Sequence, residues 1–197
     1  MQVKVWNVIV MGLLCVMLSA CGELRFSRVA PGIDEFHPER ICVLPVDAGV
    51  YKEKAGDIAD DLIVDIVKGK GWFSSVVSPE EMAKLAERDG RFKDAVTEYL
   101  AKLKTVHFSD PDMSRYIGAA LNVDALLIVD VVFWNYTTQG SDKLVKAGFN
   151  MELVAAKTGE VMWKASHCDT EDYKWFKPDL AKFARGVAND MISHMPH

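Results

Sequence analysis

Of 197 residues, 23 are basic and 28 acidic, a formal net charge of −5 at pH 7, and 50% are hydrophobic. A mildly acidic chain with no block of like charge lacks the basic stripe of a nucleic-acid binder and the polybasic patch that anionic lipid selects. The length suits one domain with its own core, which would remove about 70% of the unfolded surface from water.

Lys4 precedes an apolar run that starts about Val8 and ends at Leu18-Ser19-Ala20-Cys21. A charged start, about ten apolar residues and small residues before a cut are the layout of a secretory signal peptide. The run is shorter than the roughly 20 apolar residues of a membrane-spanning helix. Leu18, Ser19, Ala20 and Cys21 resemble the lipobox of bacterial lipoproteins. That resemblance implies cleavage before Cys21 and acylation of its thiol, and several acyl chains anchor firmly where one is marginal. Gly22 follows, not aspartate. By resemblance to Gram-negative lipoprotein sorting, this favours the outer membrane, facing the periplasm. The division expected is residues 1–20 as signal peptide, 21–38 as lipidated cysteine and tether, and 39–197 as a single globular domain.

Residues 22–38 show no sustained period and contain Pro31, Gly32 and Pro38, hence the tether. Ile41 to Val46 is a short apolar run ending near Pro45, a buried strand. From Ala55 to Lys68, apolar residues recur every three or four positions, with Asp57, Asp60, Asp61 and Asp65 on the opposite side. That helix stops at Lys68-Gly69-Lys70-Gly71. Trp72 to Val77 predicts a second strand, and Ser78-Pro79-Glu80-Glu81 a capped helix start. Asp89-Gly90 breaks that helix, and a new apolar stripe runs from Phe92 to Leu103. Ser109-Asp110-Pro111 opens a further helix that ends at Asn122.

Val123 to about Trp134 is the longest strand, apolar enough to be buried on both faces. From Val145 to Ala155 the pattern alternates, Lys157-Thr158-Gly159-Glu160 turns, and Val161, Trp163 and Ala165 point inward on the return. An aromatic connection, Tyr173 to Pro178, leads to a last amphipathic helix from Leu180 to Met195. The fold class is therefore α/β of the α+β kind: a mixed, mostly antiparallel sheet with a C-terminal three-strand meander and packed helices.

Catalytic motifs are missing: no G-x-S-x-G elbow, phosphate loop, paired C-x-x-C or H-E-x-x-H occurs. His167-Cys168-Asp169 mixes ligand types, but neighbours on a strand face opposite ways and cannot share a metal without a bulge. No catalytic residue, metal or cofactor is expected. Cys15 leaves with the signal; Cys42 and Cys168 remain in an oxidising compartment. The expectation is two free buried thiols, with a disulfide as the alternative if the α-carbons approach within about 7 Å. Asp130 interrupts the apolar strand and must be paired, solvated or raised in pKa. It is either a buried acid in a site or lies on a face opened or capped by Asn150 and Glu152. The aromatics Trp134, Tyr136, Tyr173, Trp175 and Phe176, at strand ends and in a loop, are the candidate partner-binding residues.

Three passages carry a wider resemblance: Ile41 to Val46 with its following helix, Ile117 to Val129, and Met151 to Trp163. Together they resemble envelope lipoproteins related to the curli-secretion lipoprotein, the penicillin-binding-protein activators and peptidoglycan-associated or transport-auxiliary lipoproteins. The resemblance implies a periplasmic α/β domain that binds protein partners and has no catalytic site. Only one clean alternating pair is present, too little for a curli-type channel. The leading expectation is a lipid-anchored, non-catalytic binding or assembly component of the envelope, attached to the membrane by its lipid, with an envelope protein as partner and homo-oligomerisation open. Two alternatives stand: a small periplasmic enzyme or ligand binder using the Asp130 region, and a subunit of an oligomeric secretion assembly. A pocket shared by Asp130 and a second titratable group would favour the first of these, and a dry core there would exclude it.

Overall fold

A computed structural model describes residues 26–197. In chain order the elements are β1 (Phe26–Val29), β2 (Arg40–Val43), α1 (Lys52–Lys70), β3 (Ser75–Val77), α2 (Pro79–Arg88), α3 (Gly90–Val106), α4 (Pro111–Leu121), β4 (Ala125–Gln139), β5 (Asp142–Ala155), β6 (Val161–Tyr173) and α5 (Leu180–Ser193). The strands form one six-stranded sheet in the order β1-β6-β5-β4-β2-β3. From β1 to β4 each neighbour is antiparallel, whereas β2 runs parallel to both β4 and β3. This is the expected α+β class with its meander. The sheet stays open, and its edges β1 and β3 are only four and three residues long, which limits pairing with other chains.

Helices cover the sheet on both faces. On one, the apolar stripes of α1 (Ala55, Ala59, Leu62, Ile63, Ile66) and α5 (Ala184, Val187, Met191, Ile192) pack on Ile41, Val43, Leu127, Val129, Phe149 and Trp163. On the other, Met82 of α2, Phe92, Val96 and Tyr99 of α3 and Ile117 of α4 cover Cys42, Leu44, Leu126 and Val154. The second layer covers only the end of the sheet where β2 and β4 begin, so the far part of the β4-β5-β6 meander is open on that face. Local chemistry sets the helix ends. Ser78 and Glu81 close a capping box on α2, and Asp89, Asp110 and Asp179 cap α3, α4 and α5. Asn122, at φ 54°, ends α4 in the left-handed conformation.

One polar clasp ties the start of β2 to the start of β4. Asp124 Oδ2 accepts from the backbone N–H groups of Glu39 (3.2 Å) and Arg40 (3.0 Å), and Oδ1 accepts from Arg40 Nη2 at 3.0 Å. The guanidinium holds the Asp124 carboxyl below its ordinary range. Because the folded pKa is depressed, the clasp stabilises fully above the unfolded carboxylate value and fades as pH falls through the folded one. Asp124→Ala is expected to cost about 1–2 kcal/mol at pH 7, at the low end for charged hydrogen bonds because the pair is partly exposed. In urea titrations the gap between parent and variant should begin to close only below about pH 4.

Four expectations change. Phe26–Val29 lies in the stretch read as tether, yet it forms β1, paired to β6 with Phe26 opposite Ser166 and Val29 opposite Trp163. Its residues are exposed and patternless, so the unpaired edge of β6 decides their conformation. β4 runs past Trp134 to Gln139, and the expected strand at 72–77 shortens to Ser75–Val77. Asp60, read as part of a solvated face, is half-buried and its Oδ1 accepts the Val46 N–H at 2.7 Å; burial raises its pKa.

Candidate functional site

β2 ends at Val43 and Pro45 turns the chain aside, while β4 continues. The pairing nevertheless carries on for a few residues. Leu44 N–H donates to Leu127 O (3.0 Å), Asp47 N–H to Val129 O (3.0 Å) and Val131 N–H to Asp47 O (2.8 Å). This bridge sets Asp47 beside Asp130. The C-terminal turn of α3 passes over the same place and ends with His107 left-handed at φ 49°. Between them lies a cavity of ≈ 230 Å³. Leu44, Leu100, Leu103 and Ile128 form its apolar walls, and Asp47, Lys104, His107, Asp130 and Glu152 its polar lining. Asp130 therefore lines a pocket with other titratable groups, and the alternative of a dry core does not apply.

The charges in the pocket are unequally partnered. Asp47 accepts from Gly49 N–H at 2.9 Å and pairs with Lys104 Nζ at 2.8 Å, which lowers its pKa. Glu152 pairs with Lys164 across β5 and β6. The Asp130 carboxylate accepts no hydrogen bond from any described residue. Burial first, then Asp47 and Glu152, push its pKa up, with His107 and Lys164 partly offsetting them. Such a group is a binding-site signature when it sits in a cleft. Sequence reading had singled out Asp130, Asn150 and Glu152. It missed Asp47, Lys104 and His107, which come from two other segments and carry no local pattern.

The aromatic set divides. Trp134 is 3% exposed and meets Phe149 edge-on at 6.4 Å. The reason is a bulge between Val131 and Phe133, which shifts the strand's phase by one and turns Trp134 to the face of Val129 and Val131. Tyr136 packs edge-on against Tyr173 at 6.0 Å, donates its hydroxyl to Pro178 O at 2.6 Å and lies under Lys177 Nζ at 3.6 Å. On that base the loop tip projects Trp175 and Phe176, 90% and 89% exposed. The structure thus groups Tyr136, Tyr173, Trp175 and Phe176 at one end of the sheet and places Trp134 in the core. Leu18, Ser19, Ala20 and Cys21 lie outside the described residues.

Cys42 and Cys168 are both free, but only Cys42 is buried as expected; Cys168 is partly exposed. Cys42 pairs in register with Leu126 and Cys168, through Gly148, with Phe133, so about 23 Å of β4 separates them at ~3.3 Å per residue. Burial pushes the Cys42 thiol up to about 12. Among the described residues no three His, Cys, Asp or Glu side chains converge as metal ligands, and no helix is long and apolar enough to cross a membrane.

Two solved structures share this architecture. PelC from Paraburkholderia phytofirmans, described as a dodecamer, superposes with a TM-score of 0.54 at 15% identity over 85% of this chain and 93% of that one. Lipoprotein GNA1162 from Neisseria meningitidis gives 0.51 at 14% identity over 80% of this chain and 100% of that one. The chain has the fold of these two proteins. At such identities the likeness is one of fold. No family model and no curated protein matches the sequence.

Proposed function

We propose that the protein is a lipid-anchored, non-catalytic component of a bacterial cell envelope, held by acylated Cys21 with the Tyr173–Pro178 loop turned to the membrane. The direction of β1 carries this reading. β1 is antiparallel to β6 with Phe26 opposite Ser166, so at its N-terminal end β1 points the way β6 runs to Tyr173, the direction we take for the segment that carries Cys21. Four residues lie between Cys21 and Phe26, so the five steps joining them can span at most about 18 Å. From Ser166 to Tyr173 the strand covers about 23 Å. On this reading the lipid and the exposed Trp175-Phe176 tip share one end of the molecule. Trp at a water–lipid boundary, with Lys174 and Lys177 beside it to meet headgroups, suits such a face.

The test has two parts. Cys21→Ala should move the protein out of the membrane fraction. In that unlipidated background, Trp175→Ala with Phe176→Ala should weaken the residual retention on zwitterionic vesicles while shifting stability by less than about 0.5 kcal/mol, because both side chains are exposed. Full retention on vesicles by the double variant would remove the loop from the membrane face. That PelC is a dodecamer supports self-assembly as a further part of this reading. A solution mass of a single chain would count against it.

A further inference from the structure

The pocket at Asp130 is one ion pair short. Three carboxylates line it (Asp47 from the segment after β2, Asp130 from β4, Glu152 from β5) with one ammonium, Lys104 from α3, while Lys164 of β6 reaches Glu152 from the neighbouring cavity and Lys52 adds to the field at Asp47. Lys104 and Lys164 each already have a carboxylate of their own: Lys104 with Asp47, Lys164 with Glu152. Asp130 is left over. It lies two residues from Ile128 on the same face of β4, with Leu100 and Leu103 among the walls, so an apolar stem is received beside the spare charge. The crevice opens where β2 stops and its parallel neighbour β4 continues, the place where open sheets of this kind leave room for ligands. At ≈ 230 Å³ it is smaller than a drug-sized site, which restricts the occupant to a few heavy atoms.

We propose that this cleft binds a small alkylammonium compound, with Asp130 as its counter-ion and Leu100, Leu103 and Ile128 packing its stem. Asp47 and Glu152 stay in their own ion pairs and fix the positions of Lys104 and Lys164. His107, exposed at the mouth, also lines a second cavity of ≈ 310 Å³ on the β1 side, which shares Glu152 and includes Lys164. It forms the rim between the two cavities and is not the partner of the ammonium.

The full chain, solubilised in detergent and labelled at Leu and Ile methyl groups, tests this by titration with butylammonium, butanol and butanoate. Butylammonium should shift the methyl signals of Leu103 and Ile128, and butanol and butanoate should bind at least 10-fold more weakly. Asp130→Asn should lower butylammonium affinity at least 10-fold. That variant should fold, because it removes a carboxylate that burial disfavours in ionised form. Its melting temperature should exceed the parent's at pH 7 and match it at low pH. Sign: the folded pKa is raised, so the ionised acid costs stability at high pH and the cost vanishes below the unfolded value. In the unmodified protein, butylammonium affinity should fall as pH drops through the titration of Asp130; His107→Gln, which removes a group that partly lowers the Asp130 pKa, should move that midpoint upward and keep the pH dependence. Equal binding of butanol and butylammonium, or unchanged affinity in Asp130→Asn, would overturn the site. A capped lysine amide binding as tightly as butylammonium would overturn the assignment to a free amine and point to a protein side chain instead.

Discussion

Trp163→Ala should destabilise the domain by about 3–5 kcal/mol, a large share of the roughly 5–15 kcal/mol that holds a domain folded. Trp163 is fully buried where three strands meet. It faces Leu153 on β5 and Val29 on β1 in the sheet register, and it belongs to the cluster under α1 and α5. Truncation loses the transfer energy of an indole and leaves a cavity in a layer that helices hold at fixed height. Trp163→Phe should behave differently. The indole Nε1 is buried and meets no acceptor among the described residues, and an unpaired buried donor costs about 1–3 kcal/mol. Phenylalanine gives up some area but removes that donor, so its net effect should stay within about 1 kcal/mol of the parent. Urea midpoints at constant m-value separate the two. A phenylalanine variant as damaged as the alanine one would mean that the indole N–H is satisfied after all.

How legible this arrangement was depends on whether the deciding contact is local. α1 could be read because its apolar stripe, its terminal lysines and Gly71 are all local signals, and α2 because a capping box fits within four residues. The meander followed from one alternating strand, one glycine turn and one more alternating strand. Trp134 could not be placed. Without the bulge after Val131, an even-numbered residue shares the face of Leu126, Ile128 and Asp130, which is open beyond the helices. With the bulge it joins the core. β1 could not be read either, since four exposed residues acquire strand structure only from the free edge of β6. Asp130 was visible as an anomaly in an apolar run, but what surrounds it was not. Lys104 and His107 stand about 25 positions away on α3, and only the descent of that helix over the end of β2 brings them to the cleft. Trp175 and Phe176 were legible as exposed candidates because proline and lysine neighbours argue against a core strand. Their position relative to the lipid depended on the direction of β1.

The second large effect is expected at Gly159, in the turn that reverses β5 into β6. Its φ is 72°, left-handed, where an L side chain costs about 1–2 kcal/mol. The turn is also docked. A Cβ at this position would lie 2.7 Å from the Cα of Pro111 and 3.1 Å from Ser114 Oγ, in the first turn of α4. Ser114 Oγ in turn donates to Ala156 O at 3.1 Å, so helix and turn are joined by a buried hydrogen bond that any lifting would strain. Backbone cannot swing aside as the end of a long side chain can, and overpacking of this kind adds about 1–3 kcal/mol. Gly159→Ala should therefore cost about 2–5 kcal/mol in all. Gly140 provides the internal control. It turns β4 into β5 with φ 62°, and nothing lies within 4 Å of where its Cβ would be. Gly140→Ala should show the backbone cost alone, about 1–2 kcal/mol. Denaturant unfolding of both variants measures the difference, and equal losses would show that the β5-β6 turn is not held by α4. If the difference appears, the same docking fixes the register that sets Glu152 against Lys164 and leaves Asp130 as the carboxylate in the cleft without an ion pair among the described residues.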